Sequence, residues 1–266
     1  MLAQGYRDEG QNFSGPEVVS SLRQRYLTLT EAVPVPDCSS SLVEWDNLTS
    51  PDIGYLNVRT RPVEDVESPC LIPPSAGYQR LENQLYRVEI HQGGLLDGAT
   101  FKWSRDNASI VTSITAINGV DLTVASLGRD AILGFTPGQW VEVIDDEMEL
   151  KGEPGTLAQI VATNPATLMV TLGSPVAGLD LAQKPRLRRW DSEPTQPVTS
   201  GWLPLEDGIE IEFSAGTYRT GNYWLIPART ATGEVEWPPY EIPNRNPIPQ
   251  PPLGITHHYC RLGISC

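Results

Sequence analysis

Tyr86-Arg-Val-Glu-Ile-His91, a turn built from Gly93, Gly94 and Asp97-Gly98, and Ala99-Thr-Phe-Lys-Trp-Ser-Arg-Asp-Asn107 decide how this chain is read. Tyr86, Val88 and Ile90 alternate with Arg87, Glu89 and His91, the two-residue period of a strand with one buried face. Ala99, Phe101 and Trp103 alternate with Thr100, Lys102 and Ser104 on a returning strand, and the turn residues between them tolerate positive φ. The pair predicts a hairpin with an apolar face and a charged face. Its polar end gathers Lys102, Trp103, Arg105, Asp106 and Asn107.

Beyond the hairpin the chain reads as short strands separated by turn signals. Residues 110–117 and 120–126 flank Asn118-Gly119, Pro137-Gly138 introduces 140–144, Pro154-Gly155 precedes 157–163, and Asn164-Pro165 leads into 167–172. Strands at this spacing, with no helical pattern between them, predict a small antiparallel barrel or sandwich over about 110–185. Lys184-Pro-Arg-Leu-Arg-Arg-Trp-Asp191 is a basic strand in an acidic chain. Ile209, Ile211 and Phe213 alternate with glutamates, and 218–228 is a further strand bent at Gly221-Asn222.

The two ends read differently. Ser14-Gly-Pro-Glu17 has the form of a capping box, and Val18, Val19, Leu22, Tyr26 and Leu29 recur at helical spacing, so an amphipathic helix is expected over about 16–31. Residues 35–75 are turn-rich, with short strands around 53–61, and suit an extended arm. From Trp237 onward prolines predominate, which predicts an extended wrap over the surface. The expected fold is mainly β: antiparallel sheets with a small barrel or sandwich module, one N-terminal α-helix and long proline-rich segments. The expected organisation is a helix and arm over 1–76, a β-rich core over 77–230 and a wrap over 231–266.

Against 33 acidic residues stand 19 basic ones, a net charge of −14 and a pI near 4.6. Such a surface repels phosphate backbones, which argues against nucleic acid as a partner. A basic start followed by an apolar run is missing, so cytosolic synthesis without a signal peptide is expected. A membrane span is not expected either, since no apolar stretch reaches about 18 residues. Cys38, Cys70, Cys260 and Cys266 are too few and scattered for a disulfide framework and read as free thiols.

The polar end of the hairpin offers an aromatic platform beside fixed polar groups, suited to a sugar or a carboxylate. The plainer reading places Trp103 in the core, uses Asp106 and Asn107 as turn caps, and makes Lys102, Arg105 and Asp106 fold-locking or subunit contacts. Asp145-Asp146-Glu147 with Glu149 supplies oxygen ligands for calcium but lacks the alternation and central glycine of a calcium loop, and reads as a solvated turn. Glu44, Asp46, Asp191, Glu193, Glu206 and Asp207 could pair as acid and base for glycoside hydrolysis, which needs about 5 to 10 Å between carboxyls. His257, His258 and Cys260, with Cys266, are weak metal candidates, because adjacent histidines on a strand face opposite ways. Neither a metal nor a cofactor is expected. No nucleophile elbow, phosphate loop, dinucleotide fingerprint or metalloprotease helix is present.

Several ordered segments carry a resemblance: Arg80-Leu-Glu-Asn-Gln-Leu-Tyr-Arg-Val-Glu-Ile-His91, 99–107, Leu187-Arg-Arg-Trp-Asp191, Leu205-Glu-Asp-Gly-Ile-Glu-Ile211, 218–229 and Gly254-Ile-Thr-His-His-Tyr-Cys-Arg-Leu262. Over about residues 78–262 the chain resembles an uncharacterised bacterial family often encoded with phage-tail-like contractile injection systems. The stretch before Tyr78 departs from the family's usual start, and larger members continue past the histidine pair. The resemblance implies a non-catalytic structural part of an injection particle, at its baseplate or as a decoration. Its partners would be other subunits, copies of itself included, and the particle would act outside the cell. The alternative is a carbohydrate-binding module recognising a polysaccharide through exposed tryptophans such as Trp103, Trp140, Trp202, Trp224 and Trp237. A carboxylate-based hydrolase is the third reading.

Overall fold

The computed structural model describes residues 2–7, 22–27, 46, 49, 54–62, 77–130, 132–237, 240–241, 246–254 and 257–261. Along the chain its strands are β1 (Leu2–Arg7), β2 (Leu22–Leu27), β3 (Leu56–Thr60), β4 (Gln84–Gln92), β5 (Gly94–Leu95), β6 (Thr100–Ser104) and β7 (Val111–Asn118). They continue as β8 (Asp121–Val124), β9 (Trp140–Ile144), β10 (Thr156–Asn164), β11 (Met169–Leu172), β12 (Arg186–Trp190), β13 (Gln196–Pro197) and β14 (Trp202–Pro204). The last are β15 (Ile209–Phe213), β16 (Thr217–Tyr218), β17 (Tyr223–Arg229), β18 (Glu234–Val235), β19 (Tyr240–Glu241), β20 (Asn246–Pro247) and β21 (His257–Arg261). The fold is mainly β, as expected. Two compact units divide the chain, one over 52–252 and one joining 1–51 with 253–266.

The larger unit contains a sandwich and a barrel. One sheet runs β13-β6-β4-β17-β18 and a second runs β14-β15-β3. Tyr86, Val88, Ile90, Phe101, Trp224 and Ile226 of the first pack with Leu56, Val58, Ile209, Ile211 and Phe213 of the second. Each such side chain contributes about 1.5–3 kcal/mol by leaving water. Phe213 lies at the centre of the aromatic packing, 5.1 Å from Phe101 and 5.6 Å from Tyr218 between ring centroids. β3 therefore places part of the expected arm inside the sandwich.

The barrel closes in the order β10-β11-β8-β7-β12-β9, all neighbours antiparallel. Closure leaves these short strands no open edge. Leu122, Val124, Val141, Val143, Ile160, Val170, Leu172 and Leu187 fill it. At the β7–β8 turn Asn118 pairs with Asp121, so Gly119 and Val120 form the loop rather than Asn118-Gly119. Gly119 has φ of 62° at the first central position, where a type II′ turn places glycine.

Two other stretches refine the sequence reading. The described part of the expected 16–31 helix is β2, paired residue for residue with β1 from Leu2↔Leu27 to Arg7↔Leu22. Leu22, Gln24 and Tyr26 also fit a period of two, and a six-residue ladder outweighs the small helix propensity of so short a stretch. The capping box at Ser14 and Glu17 lies outside the described residues. Among the described residues of the proline-rich end, Gln250 exchanges both backbone hydrogen bonds with Leu56, at 3.0 and 2.8 Å. Trp224 Nε1 donates to the Gln250 carbonyl and Trp237 Nε1 to that of Ile248, both at 3.0 Å. In the smaller unit β1 lies between β2 and β21.

Candidate functional site

The charged face of the hairpin is buried, because the outside of the barrel covers it. Alternation along β9 sends Val141 and Val143 into the barrel and Glu142 outward; along β12 it sends Leu187 inward and Arg188 and Trp190 outward. Lys102 on β6 keeps 2% of its surface exposed and Glu142 none. Lys102 Nζ touches Glu142 Oε1 and lies 3.2 Å from Glu89 Oε1. Trp190 Nε1 donates to Glu142 Oε2 at 3.0 Å, and its ring centre is 4.5 Å from Lys102 Nζ. Arg87 Nε donates to Glu89 Oε2 at 2.7 Å while its guanidinium stacks 3.6 Å from the Tyr223 ring centre.

Burial pushes both carboxyls up, and the neighbouring cations outweigh it. Lys102 first, then Arg188, hold Glu142 well below the usual carboxylate range. Lys102 and Arg87 also hold Glu89 below its ordinary value. Both are ionised at neutral pH, whereas acid–base hydrolysis needs one carboxyl kept protonated. His91 is the extra residue where the β4–β6 register shifts between Ile90 and Gln92, a bulge of the kind that re-aims a side chain. Its Nδ1 lies 3.8 Å from Glu142 Oε1, too far for a hydrogen bond. That atom, Thr100 Oγ1 and Arg188 Nε are buried without a hydrogen-bond partner. Gly155 makes room for this arrangement: a Cβ there would stand 2.6 Å from Glu142 Cγ.

A second network surrounds Arg105. Its guanidinium donates to Glu206 from Nε at 2.9 Å and Nη2 at 2.7 Å, and to Asp191 at 3.2 Å. Its backbone N–H and the Ser104 hydroxyl donate to Asp191 Oδ2. Hydrogen bonding to Glu206 raises the Arg105 pKa further above its already high value. Arg189, 5% exposed, reaches Asp106 at 3.2 Å. Burial, then the Asp191 charge, push Asp106 up. Burial, then Glu206, likewise keep the Tyr86 phenol protonated, and it donates to Asp207 at 3.4 Å.

The five residues expected at one polar end are thus dispersed among four settings. Lys102 lies between sandwich and barrel. Trp103 is in the sandwich core, 6.1 Å from Tyr86. Arg105 and Asp106 belong to the ion-pair lattice. Asn107 and Ala108 have φ of 52° and 51° in a turn closed by the Ser109 N–H on the Asp106 carbonyl.

Other candidates are committed to structural contacts. Asp145 caps the six-residue helix Asp146–Lys151 by accepting the Met148 N–H. Asp146 and Glu149 hold Arg186, and Glu147 pairs with Lys151. Asp191, Glu206 and Asp207 share Arg105, Arg80 and Arg189. Glu44 lies outside the described residues. His257, His258 and Cys260 lie on β21. Among the described residues no three potential ligands gather for a metal.

Sequence reasoning missed Glu89, Glu142, Trp190 and Arg189. A signal was present: Glu142 between Val141 and Val143, and Lys102 between Phe101 and Trp103, are charges inside apolar strands.

A protein family described as one of unknown function, DUF6519, matches residues 48–266. No curated protein and no solved structure matches the chain.

Proposed function

We propose that this chain, which belongs to the DUF6519 family of proteins of unknown function, is a non-catalytic building block of a phage-tail-like contractile injection particle or a similar multi-subunit assembly. The observation that carries this reading is where the charge goes. Lys102, Arg105, Asp106, Asp191, Glu206 and Glu142 are spent on internal ion pairs, several between strands distant in sequence. Such pairs hold a rigid body in one shape, which suits a part built into a larger object.

Two further features support it. The resemblance of residues 78–262 points the same way. In the smaller unit β2 and β21 each pair on one side among the described residues, and such edges offer backbone groups to a strand from a neighbour. Size-exclusion chromatography with light scattering, and imaging of particles from the native host, test the reading. A stable monomer absent from every particle would overturn it.

The sugar reading rests on exposed indoles. Trp103, Trp190, Trp224 and Trp237 are buried, and the half-buried Trp202 ring carries the Arg59 guanidinium 3.9 Å from its centre. A glycan array decides this alternative, since binding of any polysaccharide would restore it.

A further inference from the structure

Between sandwich and barrel lies a set of groups that ion pairing alone does not require. Lys102 Nζ is held between two carboxylates from different modules, touching Glu142 Oε1 and 3.2 Å from Glu89 Oε1. The second oxygen of Glu142 receives the Trp190 indole N–H at 3.0 Å. Lys102, Glu89 and Glu142 are all buried, so bulk water is excluded. His91 Nδ1, without a hydrogen-bond partner, is 3.8 Å from Glu142 Oε1. A nucleophile, an acyl carbon, a proton acceptor and a donor to the developing oxyanion are therefore in place together.

We propose that Lys102 and Glu142 condense into an intramolecular amide that covalently joins the sandwich to the barrel, with Glu89 as proton carrier. Glu89 relays one proton from the Lys102 ammonium to Glu142 Oε1, which leaves a neutral amine beside a neutral carboxyl, and the freed lone pair attacks Cδ of Glu142. The Nζ–Cδ bond forms and negative charge develops on Oε2, where the Trp190 N–H holds it. Oε1, already protonated, then leaves: the Cδ–Oε1 bond breaks as this oxygen takes up a second proton that began on Nζ, again relayed through Glu89, and departs as water. Oε2 becomes the amide carbonyl oxygen. One ammonium and one carboxylate become one amide and one water, with no change of oxidation state and no co-reactant.

Two physical effects favour the step. Fixing the nucleophile against the acyl group replaces an encounter in solution, an advantage that reaches effective concentrations of roughly 10⁵ M and above in well-oriented cases. Amide formation also removes two buried charges, each of which costs free energy to hold away from water. The bond would link strands 40 residues apart in sequence.

Mass spectrometry of the denatured, reduced chain tests the proposal directly, independently of whether the chain assembles. The wild-type protein, aged at neutral pH, is expected to weigh less than its sequence by one water. Its tryptic digest should contain a linked peptide pair holding Lys102 and Glu142, with no cleavage after Lys102. A chain of full sequence mass, or a water loss mapped to another pair, overturns the proposal. Glu89→Gln is expected to stay at full mass, and Trp190→Phe, which keeps a ring beside Nζ but removes the N–H, to link more slowly. Circular dichroism confirms that each variant is folded. Linking as complete and as fast as wild type in folded Glu89→Gln would overturn the role of Glu89.

Discussion

Arg105 shows how much one side chain contributes when its geometry is fixed on several sides. The two guanidinium bonds to Glu206, the third to Asp191 and the backbone N–H on the same aspartate tie the end of β6 to the segments after β12 and before β15. Arg105→Lys keeps the charge but loses the planar fork, and is expected to cost about 1–2 kcal/mol. Arg105→Glu would set a fourth carboxylate among Asp106, Asp191 and Glu206. Its expected cost is about 3 kcal/mol, the low end for a broken buried pair, because the side chain is 30% exposed. Urea unfolding of the three chains checks this; equal midpoints would remove the locking role. At this scale the hairpin's apolar residues were legible, since alternation alone assigns Tyr86, Val88, Ile90, Phe101 and Trp103 to one face. The cover on the opposite face was not. Alternation says that Lys102 and Glu89 point away from the core, but their partner Glu142 comes from another module, and no local pattern records such a pairing.

Among elements, the barrel strands were the most legible, because each carries its own turn residues and its own alternation. The stretch around β2 was less so, since Leu22, Tyr26 and Leu29 fit a helix while pairing with β1 is a long-range event. The loop between β8 and β9 was not read at all, although it is closely built. Phe135 N–H donates to the Leu127 carbonyl, and Arg189 Nη1 donates to the carbonyls of Ile132 and Gly134 at 2.6 and 3.0 Å. Asp130 Oδ1 accepts the N–H groups of Ile132 and Leu133, both at 2.8 Å. The backbone bonds from Leu133 and Ile132 hold the Asp130 pKa below its ordinary 3.8. A depressed carboxyl means that this ordering is complete above the ordinary value and is lost as pH falls through the folded one. Hydrogen exchange of the Ile132 and Leu133 amides, corrected for intrinsic rates, should therefore show protection that fades in acid below about pH 3.8. Asp130→Ala should lack that protection at every pH. Protection that ignores both acid and substitution would mean that Arg189 holds the loop alone.

For the whole molecule, the question is which parts stand by themselves. The sandwich and barrel share the Arg105 and Arg189 lattice, and at Lys102 and Glu142 either a buried ion pair or the proposed amide, so opening one module would leave buried charges of the other unpaired, at several kcal/mol. They are expected to unfold together, with tryptophan fluorescence and far-UV circular dichroism giving one coincident transition. The β2-β1-β21 sheet, by contrast, takes its described pairings from 1–51 and 253–266. A chain cut to 52–252 keeps Gln250 on Leu56 and the indole bonds to Gln250 and Ile248, and should still fold and unfold in one cooperative transition. If strand addition at the small sheet drives assembly, the same cut should abolish self-association seen by light scattering. A truncated chain that is folded and still associates would move the assembly surface onto the sandwich or barrel. One that unfolds in two steps would show that the charge clusters do not couple the two modules.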